Sequence, residues 1–244
     1  MKSIYIYLLT MMSSVLCSGQ TDDRMILLIK PTGNSLNAYP LMEEFHDTSS
    51  AYRSVMSVID SSAIKEFLGV YKISQQFLVN RGCQQKKEPA YLALTSNQGG
   101  YAKKGFYLVN LRGDTIDRTQ ASYVDIMLDR LFTDYKGLMS FTQLYPHELA
   151  HVIYGQVSIN DSMDPESRNV DMHYFPVITD YSTAFNEGFA IHFENISRLI
   201  ENNQDIRSGI QEDLENIEQR SPNSISGFIN DIRCPLRLGY YSLR

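Results

Sequence analysis

The chain has 244 residues, 43% of them apolar, and a formal net charge of −6. This length and apolar content are sufficient for one domain with a buried core. The acidic balance, with no basic cluster longer than Lys86-Lys87 or Lys103-Lys104, argues against nucleic acid as a partner.

Residues 1–19 predict an export signal. Lys2 is followed by the apolar run Ile4–Leu16, and Cys17-Ser18-Gly19 supplies the small residues of a cleavage site. Because the run is short and a polar segment follows it, we expect no stable membrane insertion and a periplasmic or extracellular protein. A lipid anchor on Cys17 is the second interpretation, since Leu16 is large for the position before a lipidated cysteine.

Two cysteines, Cys83 and Cys234, remain after removal of the signal segment. In an oxidising compartment they can form a disulfide, and two free thiols are an equally good interpretation. Neither cysteine has the spacing of a second metal site.

Strands dominate the first half of the sequence. The apolar run at 25–31 ends in a turn and predicts a strand, 48–68 has mixed helical periodicity, and 71–79 fits either a strand or a helix. Two more strands are predicted at 91–95 and 106–112. The segment 98–105 is predicted to be the loop between them, and Gly113-Asp114 closes the second strand.

Helices dominate the second half. A helix is predicted at 123–135, because Val124, Met127, Leu128, Leu131 and Phe132 fall on one stripe. Further helices are predicted at about 143–154, 183–200, 205–219 and 224–232. Strands first and helices later indicate the α+β class.

The segment His147-Glu148-Leu149-Ala150-His151 carries the strongest chemical signal. Residues at i and i+4 share one helix face, so both imidazoles can bind one cation while Glu148 can take a proton from the attacking water. Apolar neighbours favour a buried helix, and Pro146 is expected in its first turn, where a missing N–H costs little. The alternative is an ordinary helix with two exposed histidines.

The segment Asn186-Glu187-Gly188-Phe189-Ala190, downstream of the histidine motif, resembles the NEGFA segment of aminopeptidase-N-like gluzincin metallopeptidases. The resemblance covers residues 144–155 and 181–194. It implies that Glu187 is the third ligand of one Zn²⁺ ion, beside His147 and His151, and that Glu194 accepts a hydrogen bond from a zinc-binding histidine. We find no counterpart of the Gly-Ala-Met-Glu-Asn segment with which aminopeptidase N reads a free amino terminus.

The resemblance also implies a zincin-like fold with the zinc between two lobes. A β-rich lobe at about 20–142 and a helical lobe at about 143–244 would together form a single catalytic domain. In zincins an edge strand before the histidine helix pairs with the extended substrate. The candidate strand is Phe106, Tyr107, Leu108, Val109 and Asn110, and the alternative is that this strand is internal.

Gluzincins usually supply a tyrosine or histidine beyond the third ligand to stabilise the oxyanion. Tyr240 and Tyr241 are candidates for this role, and His173, between the two motifs, is an alternative donor.

These motifs predict an exported zinc peptidase that acts on a peptide or protein substrate, with Glu148 as general base. Two other functions stay open. One is a zinc-stabilised binding or scaffold protein that has lost turnover, although an intact Glu148 favours the enzyme because Glu148 is not a ligand. The other is a hydrolase of non-peptide amides or esters.

Overall fold

A computed structural model describes residues 25–29, 35–45, 48–96, 99–127, 136–138, 140–158, 178–179, 181–220 and 241–242. The predicted signal segment with Cys17, the candidate donors His173 and Tyr240, and Cys234 lie outside these residues. Cys83 is exposed, and its pairing with Cys234 stays a prediction.

The described residues form both strands and helices. The strands are β1 (Ile26–Ile29), β2 (Ser35–Leu36), β3 (Tyr39–Glu44), β4 (Tyr91–Thr95), β5 (Gly100–Val109), β6 (Thr115–Met127), β7 (Ile178–Thr179) and β8 (Tyr241–Ser242). The helices are α1 (Ser50–Asp60), α2 (Ile64–Asn80), α3 (Phe141–Val157), α4 (Tyr181–Ile200) and α5 (Gln204–Arg220).

Five of the strands close into a small barrel. They pair in the order β1-β4-β6-β5-β3, and β3 pairs with β1 to complete the ring. The β5–β6 and β1–β3 pairs are antiparallel and the other three are parallel. The short strand β2 pairs with β3, and β7 and β8 form a separate two-stranded sheet.

Successive side chains of a strand point to opposite sides, and both faces of the barrel strands contribute buried residues. One face contributes to a cluster formed by Leu28, Met42, Tyr91, Ala93, Phe106, Leu108 and Tyr123. The other face packs against α1, α2, α3 and α4 through strand residues Leu27, Leu92, Leu94, Val124 and Ile126. This second cluster includes residues from both predicted lobes, and it forms the base on which α3 and α4 rest.

Several predicted elements are confirmed. The strands at 25–31 and 91–95 correspond to β1 and β4, and the ambiguous segment 71–79 belongs to helix α2. Helices at 143–154, 183–200 and 205–219 correspond to α3, α4 and α5, each somewhat longer than predicted. The helix predicted at 224–232 lies outside the described residues. Helices and a barrel in a mixed α+β arrangement are present, and the zincin-like fold stays a prediction.

The helix predicted at 123–135 is wrong over its first turn, because Tyr123–Met127 is the end of strand β6. Val124 and Ile126 face the helices, while Tyr123 and Asp125 face the opposite side. Burial on both faces removes the alternation of polar and apolar residues that identifies a strand. Residues 128–135 lie outside the described part of the chain.

The loop predicted at 98–105 is also wrong, because β5 begins at Gly100. Gly105 has a φ of 88° and lies where the β5–β6 register shifts, so it forms a bulge within the strand. The glycines and lysines of this segment gave the pattern of a loop although the backbone is paired along most of it.

The prediction of a free edge along Phe106, Tyr107, Leu108 and Val109 is wrong as well. These residues pair with β6 on one side, and Tyr107, Leu108 and Val109 pair with β3 on the other. Asn110 follows the strand and closes the hairpin turn, where its side-chain oxygen accepts from the backbone of Arg112 and Asp114. This stretch is therefore internal and has no backbone left for a substrate.

No helix within the described ranges is long and apolar enough to cross a bilayer.

Phe106→Ala should destabilise the barrel. Phe106 is 0% exposed and meets Tyr91 and Tyr123 edge to face at 5.1 and 5.3 Å. Its truncation leaves a cavity that costs about 3–5 kcal/mol of unfolding free energy, measured by denaturant titration. The control is Ile73→Ala on α2, where the side chain is 71% exposed and the change should stay within about 0.5 kcal/mol. Equal losses in the two variants would contradict this description of the interior.

Candidate metal and catalytic site

Helix α3 carries the histidine motif and also contains Pro146, near which a hydrogen bond connects α3 to α4. The helix begins at Phe141, so Pro146 lies in the second turn and not, as predicted, in the first. Its missing N–H would have bonded the carbonyl of Thr142. The hydroxyl of Ser197 on α4 donates to that carbonyl instead, at 3.3 Å. The proline is therefore tolerated because the neighbouring helix supplies the hydrogen bond.

The predicted ligands His147, His151 and Glu187 converge. Nε2 of His147 lies 3.1 Å from Nε2 of His151, and Oε2 of Glu187 lies 3.6 Å from each nitrogen. Donor atoms in a tetrahedral site with metal–ligand distances of about 2.0–2.1 Å lie roughly 3.3–3.4 Å apart. The triangle of donor atoms is therefore the right size for one small ion, and these three residues form a group that could hold one.

The outer nitrogens of both imidazoles are held by acceptors. Nδ1 of His147 donates to Oε1 of Glu194 at 2.6 Å, and Nδ1 of His151 donates to Oδ1 of Asn186 at 3.0 Å. When Nδ1 carries the proton in a neutral imidazole, the lone pair is on Nε2, where a metal needs it. Both Nε2 atoms face Glu187, so the two rings are oriented for a common ligand.

The contact of Glu194 with a histidine is the one expected from the resemblance. Asn186 was missed, although it lies in the quoted motif directly before Glu187. Asn186 could have been identified as a hydrogen-bond acceptor near the site, because its amide side chain directly precedes the predicted ligand Glu187 on the same helix.

The electrostatic environment of these groups favours a cation. Burial lowers the pKa of His147, but the nearby Glu187 carboxylate and the hydrogen bond to Glu194 outweigh it and raise that pKa to about 10. Burial raises the pKa of Glu187, but the neighbouring imidazoles of His147 and His151 outweigh it, so the pKa of Glu187 lies well below its usual range. Positive charge placed among these side chains is therefore stabilised, whether it is a proton or a metal ion.

Glu148 lies beside the ligand triangle without belonging to it. Its carboxylate is buried and accepts a hydrogen bond from the backbone N–H of Ala102 on β5. Burial raises its pKa, although the neighbouring His147 and His151 act in the opposite direction. A carboxyl group whose pKa is raised toward neutrality can both accept and release a proton.

Gly100 allows β5 to approach Glu148. A Cβ atom at position 100 would lie 3.1 Å from Cγ and 3.3 Å from Oε1 of Glu148, closer than most real contacts. Any larger side chain would therefore displace the carboxylate. Sequence reasoning missed Gly100 and Ala102 because both fall in the segment that was predicted to be a loop.

One side of β5 is unpaired near Glu148. Gly100–Lys104 pairs with β6, whereas the pairing with β3 begins only at Tyr107. Within the described ranges, the second backbone edge of Gly100–Lys104 has no strand partner. The strand beside the candidate site is β5, which contains most of the predicted strand. Its edge without a described strand partner is at Gly100–Lys104, earlier in the chain than the predicted edge at 106–110.

The side chains of the candidate oxyanion donors lie outside the described part of the protein. His173 and Tyr240 lie outside the described residues. The backbone of Tyr241 is in β8 and pairs with Ile178, while its side chain is outside the description. Their roles stay predictions.

Comparisons of the chain with protein families, curated proteins and solved structures found no match.

Asn186→Ala should weaken zinc binding by about tenfold, because the ring of His151 loses the acceptor that fixes its tautomer. The dissociation constant can be measured by competition with a chromophoric chelator. The control is Gln156→Ala, which removes a partly buried amide on α3 that accepts from Gln75 and lies away from the ligands. If Asn186→Ala binds zinc as tightly as the unmodified protein, Asn186 does not orient His151.

Proposed function

We propose that this chain is an exported zinc-dependent metallopeptidase with Glu148 as the general base. The observation that carries the proposal is the position of Glu148. A buried carboxylate, one residue from a metal ligand and itself not part of the ligand triangle, is fixed by a backbone N–H from a second element. A structural metal site has no need for such a group.

Zinc suits the donor set for two reasons. Two imidazole nitrogens and one carboxylate are a ligand set typical of catalytic zinc, which leaves a fourth position for water. The imidazoles also present Nε2 while acceptors hold Nδ1, an arrangement typical of metal-binding histidines. His147, His151 and Glu187 would hold the ion.

When bound, zinc lowers the pKa of a water molecule to about 7 and polarises the carbonyl of the substrate. Glu148 takes the proton of the attacking water at its carboxylate and passes it to the nitrogen of the leaving amine. Its raised pKa suits both transfers, since a strongly acidic carboxyl would accept the proton poorly. The N–H of Ala102 and the close backbone of Gly100 keep the carboxylate in place between the two steps.

The edge of Gly100–Lys104 that has no strand partner within the described ranges favours a peptide as the substrate. An extended peptide can add to this edge by backbone hydrogen bonds, independently of its side chains. Because this part of β5 also contacts Glu148, a paired peptide would pass beside the general base. A small ester or amide would gain nothing from this edge, so the edge favours peptides over other hydrolysable substrates.

Glu148→Gln should lower kcat by at least ~100-fold because the amide cannot accept the proton. The same variant should still bind one zinc ion, measured by metal analysis after gel filtration. The control is Glu201→Gln, which changes another buried carboxylate that accepts from the backbone of Ala63 and Asn203 and contacts no ligand. Retained activity in Glu148→Gln, or a protein that no longer folds, would refute the role.

Cleavage of a peptide library with and without a chelator identifies the substrate class. Chelator-sensitive peptide cleavage supports the proposal. Stoichiometric zinc without cleavage would indicate the scaffold function, and turnover of esters or amides alone would indicate the non-peptide hydrolase.

Gly100→Ala should lower kcat on the order of tenfold and leave zinc affinity unchanged, because the new methyl group moves Glu148 and not the ligands. The control is Gly69→Ala within α2, where a Cβ meets nothing within 4 Å. That change should stabilise the protein by roughly 0.5–1 kcal/mol without changing kcat. Unchanged kcat in Gly100→Ala would refute the positioning of Glu148 by β5.

A further inference from the structure

Four polar side chains form a square beside the candidate metal site, in which three sides are hydrogen bonds and the fourth is one turn of α3. Gln143 and His147 lie one turn apart on α3, and Glu194 and Arg198 lie one turn apart on α4. Glu194 bonds His147 through Oε1 at 2.6 Å and Arg198 through Oε2 at 2.8 Å. Nε of Arg198 donates to Oε1 of Gln143 at 3.0 Å and completes the square.

Arg198 is the buried cation of this group. Its side chain is only 3% exposed, and its third polar contact is with Oδ1 of Asn195 at 3.2 Å. Burial of a guanidinium is unfavourable unless charged and polar partners compensate for the lost water. The guanidinium is matched here by one carboxylate and two amide oxygens, each aligned with a different N–H group.

We propose that Arg198 is a positioning residue of the metal site, which acts on His147 through Glu194. A glutamate has three side-chain torsions, and a single bond to His147 would leave its carboxylate free to rotate. The guanidinium fixes the second oxygen, and Gln143 fixes the guanidinium from the helix that carries His147 itself. The ring orientation of His147 therefore depends on a residue that contacts no ligand.

The charge of Arg198 also acts in the opposite direction. A guanidinium beside Glu194 withdraws negative charge from the oxygen that faces His147, which weakens the imidazole as a ligand. Loss of the partners that orient metal ligands typically lowers metal affinity by about 10–100-fold. The charge of Arg198 is screened and acts on His147 only through Glu194, so its electrostatic effect is smaller than the effect of lost ligand orientation. Removal of Arg198 therefore weakens metal binding.

A purely structural role would give a different result. Arg198 also connects α4 to α3, and its loss could loosen the interface without changing the ligands. Ser197 provides the comparison. It precedes Arg198 on α4, is fully buried and donates to the carbonyl of Thr142 on α3. Ser197→Ala weakens the helix contact and leaves the square intact.

The experiment measures zinc dissociation constants by chelator competition for Arg198→Met, Glu194→Gln, their double variant and Ser197→Ala. Arg198→Met should lose about tenfold in affinity, and the same change in a Glu194→Gln background should cost little more. Ser197→Ala should lower Tm and keep the affinity of the unmodified protein. The absorption spectrum of the Co²⁺-substituted protein should change in Arg198→Met and stay the same in Ser197→Ala.

Unchanged affinity in Arg198→Met would overturn the proposal, as would losses that multiply in the double variant. If Arg198→Met does not fold, Arg198→Lys decides, because its single ammonium group can keep Glu194 but cannot also hold Gln143 in the forked geometry. A loss of affinity in Arg198→Lys supports the proposal, and unchanged affinity overturns it.

The inference rests on the proposed metal site and not on peptide cleavage. If the unmodified protein takes up no zinc, the proposed function fails and this inference fails with it. If the unmodified protein binds zinc and cleaves peptides while Arg198→Met binds zinc equally well, only this inference fails.

Discussion

Charge compensation between α3 and α4 allows this protein to bury a group of acidic side chains. Glu148 and Glu187 are each 8% exposed, and Glu194 contacts the outer nitrogen of His147. Buried carboxylates around one site repel one another, and the charge of Glu187 contributes to the raised pKa of Glu148. Arg198 offsets one of the negative charges, and the two that remain match the charge of a divalent cation. The acidic side chains inside the protein are thus balanced by positive charge, which a proton on His147 or a metal ion can supply.

The candidate site was largely predictable from the sequence where it follows helical periodicity. His147 and His151 share a face because they are one turn apart, and Glu187 and Glu194 share a face because they are two turns apart. These relations hold within one helix and need no knowledge of the fold. The relation between β5 and Glu148 was not predictable, because it depends on which strand passes α3 and on the missing side chain of Gly100.

The fold was less predictable than the site for a related reason. Strand β6 has buried residues on both faces, so the pattern around Val124 and Ile126 resembled a helix. The position of Phe106–Val109 between β3 and β6 also follows from closure of the barrel, which the sequence of a single strand does not encode. Local patterns identified β1 and β4 because both are short apolar runs bounded by turns or polar residues.

Barrel closure also affects the order in which the site can form as the chain folds. The β5–β6 hairpin and the α3–α4 pair join segments close in sequence, whereas the parallel pairs β1–β4 and β3–β5 must first close long loops. The ligand set lies entirely on α3 and α4, but the contacts of Glu148 with Gly100 and Ala102 require the barrel and the helices to meet. The geometry of the three candidate ligands therefore depends only on the docking of α3 and α4, whereas the surroundings that raise the pKa of Glu148 form only when these helices also meet the barrel.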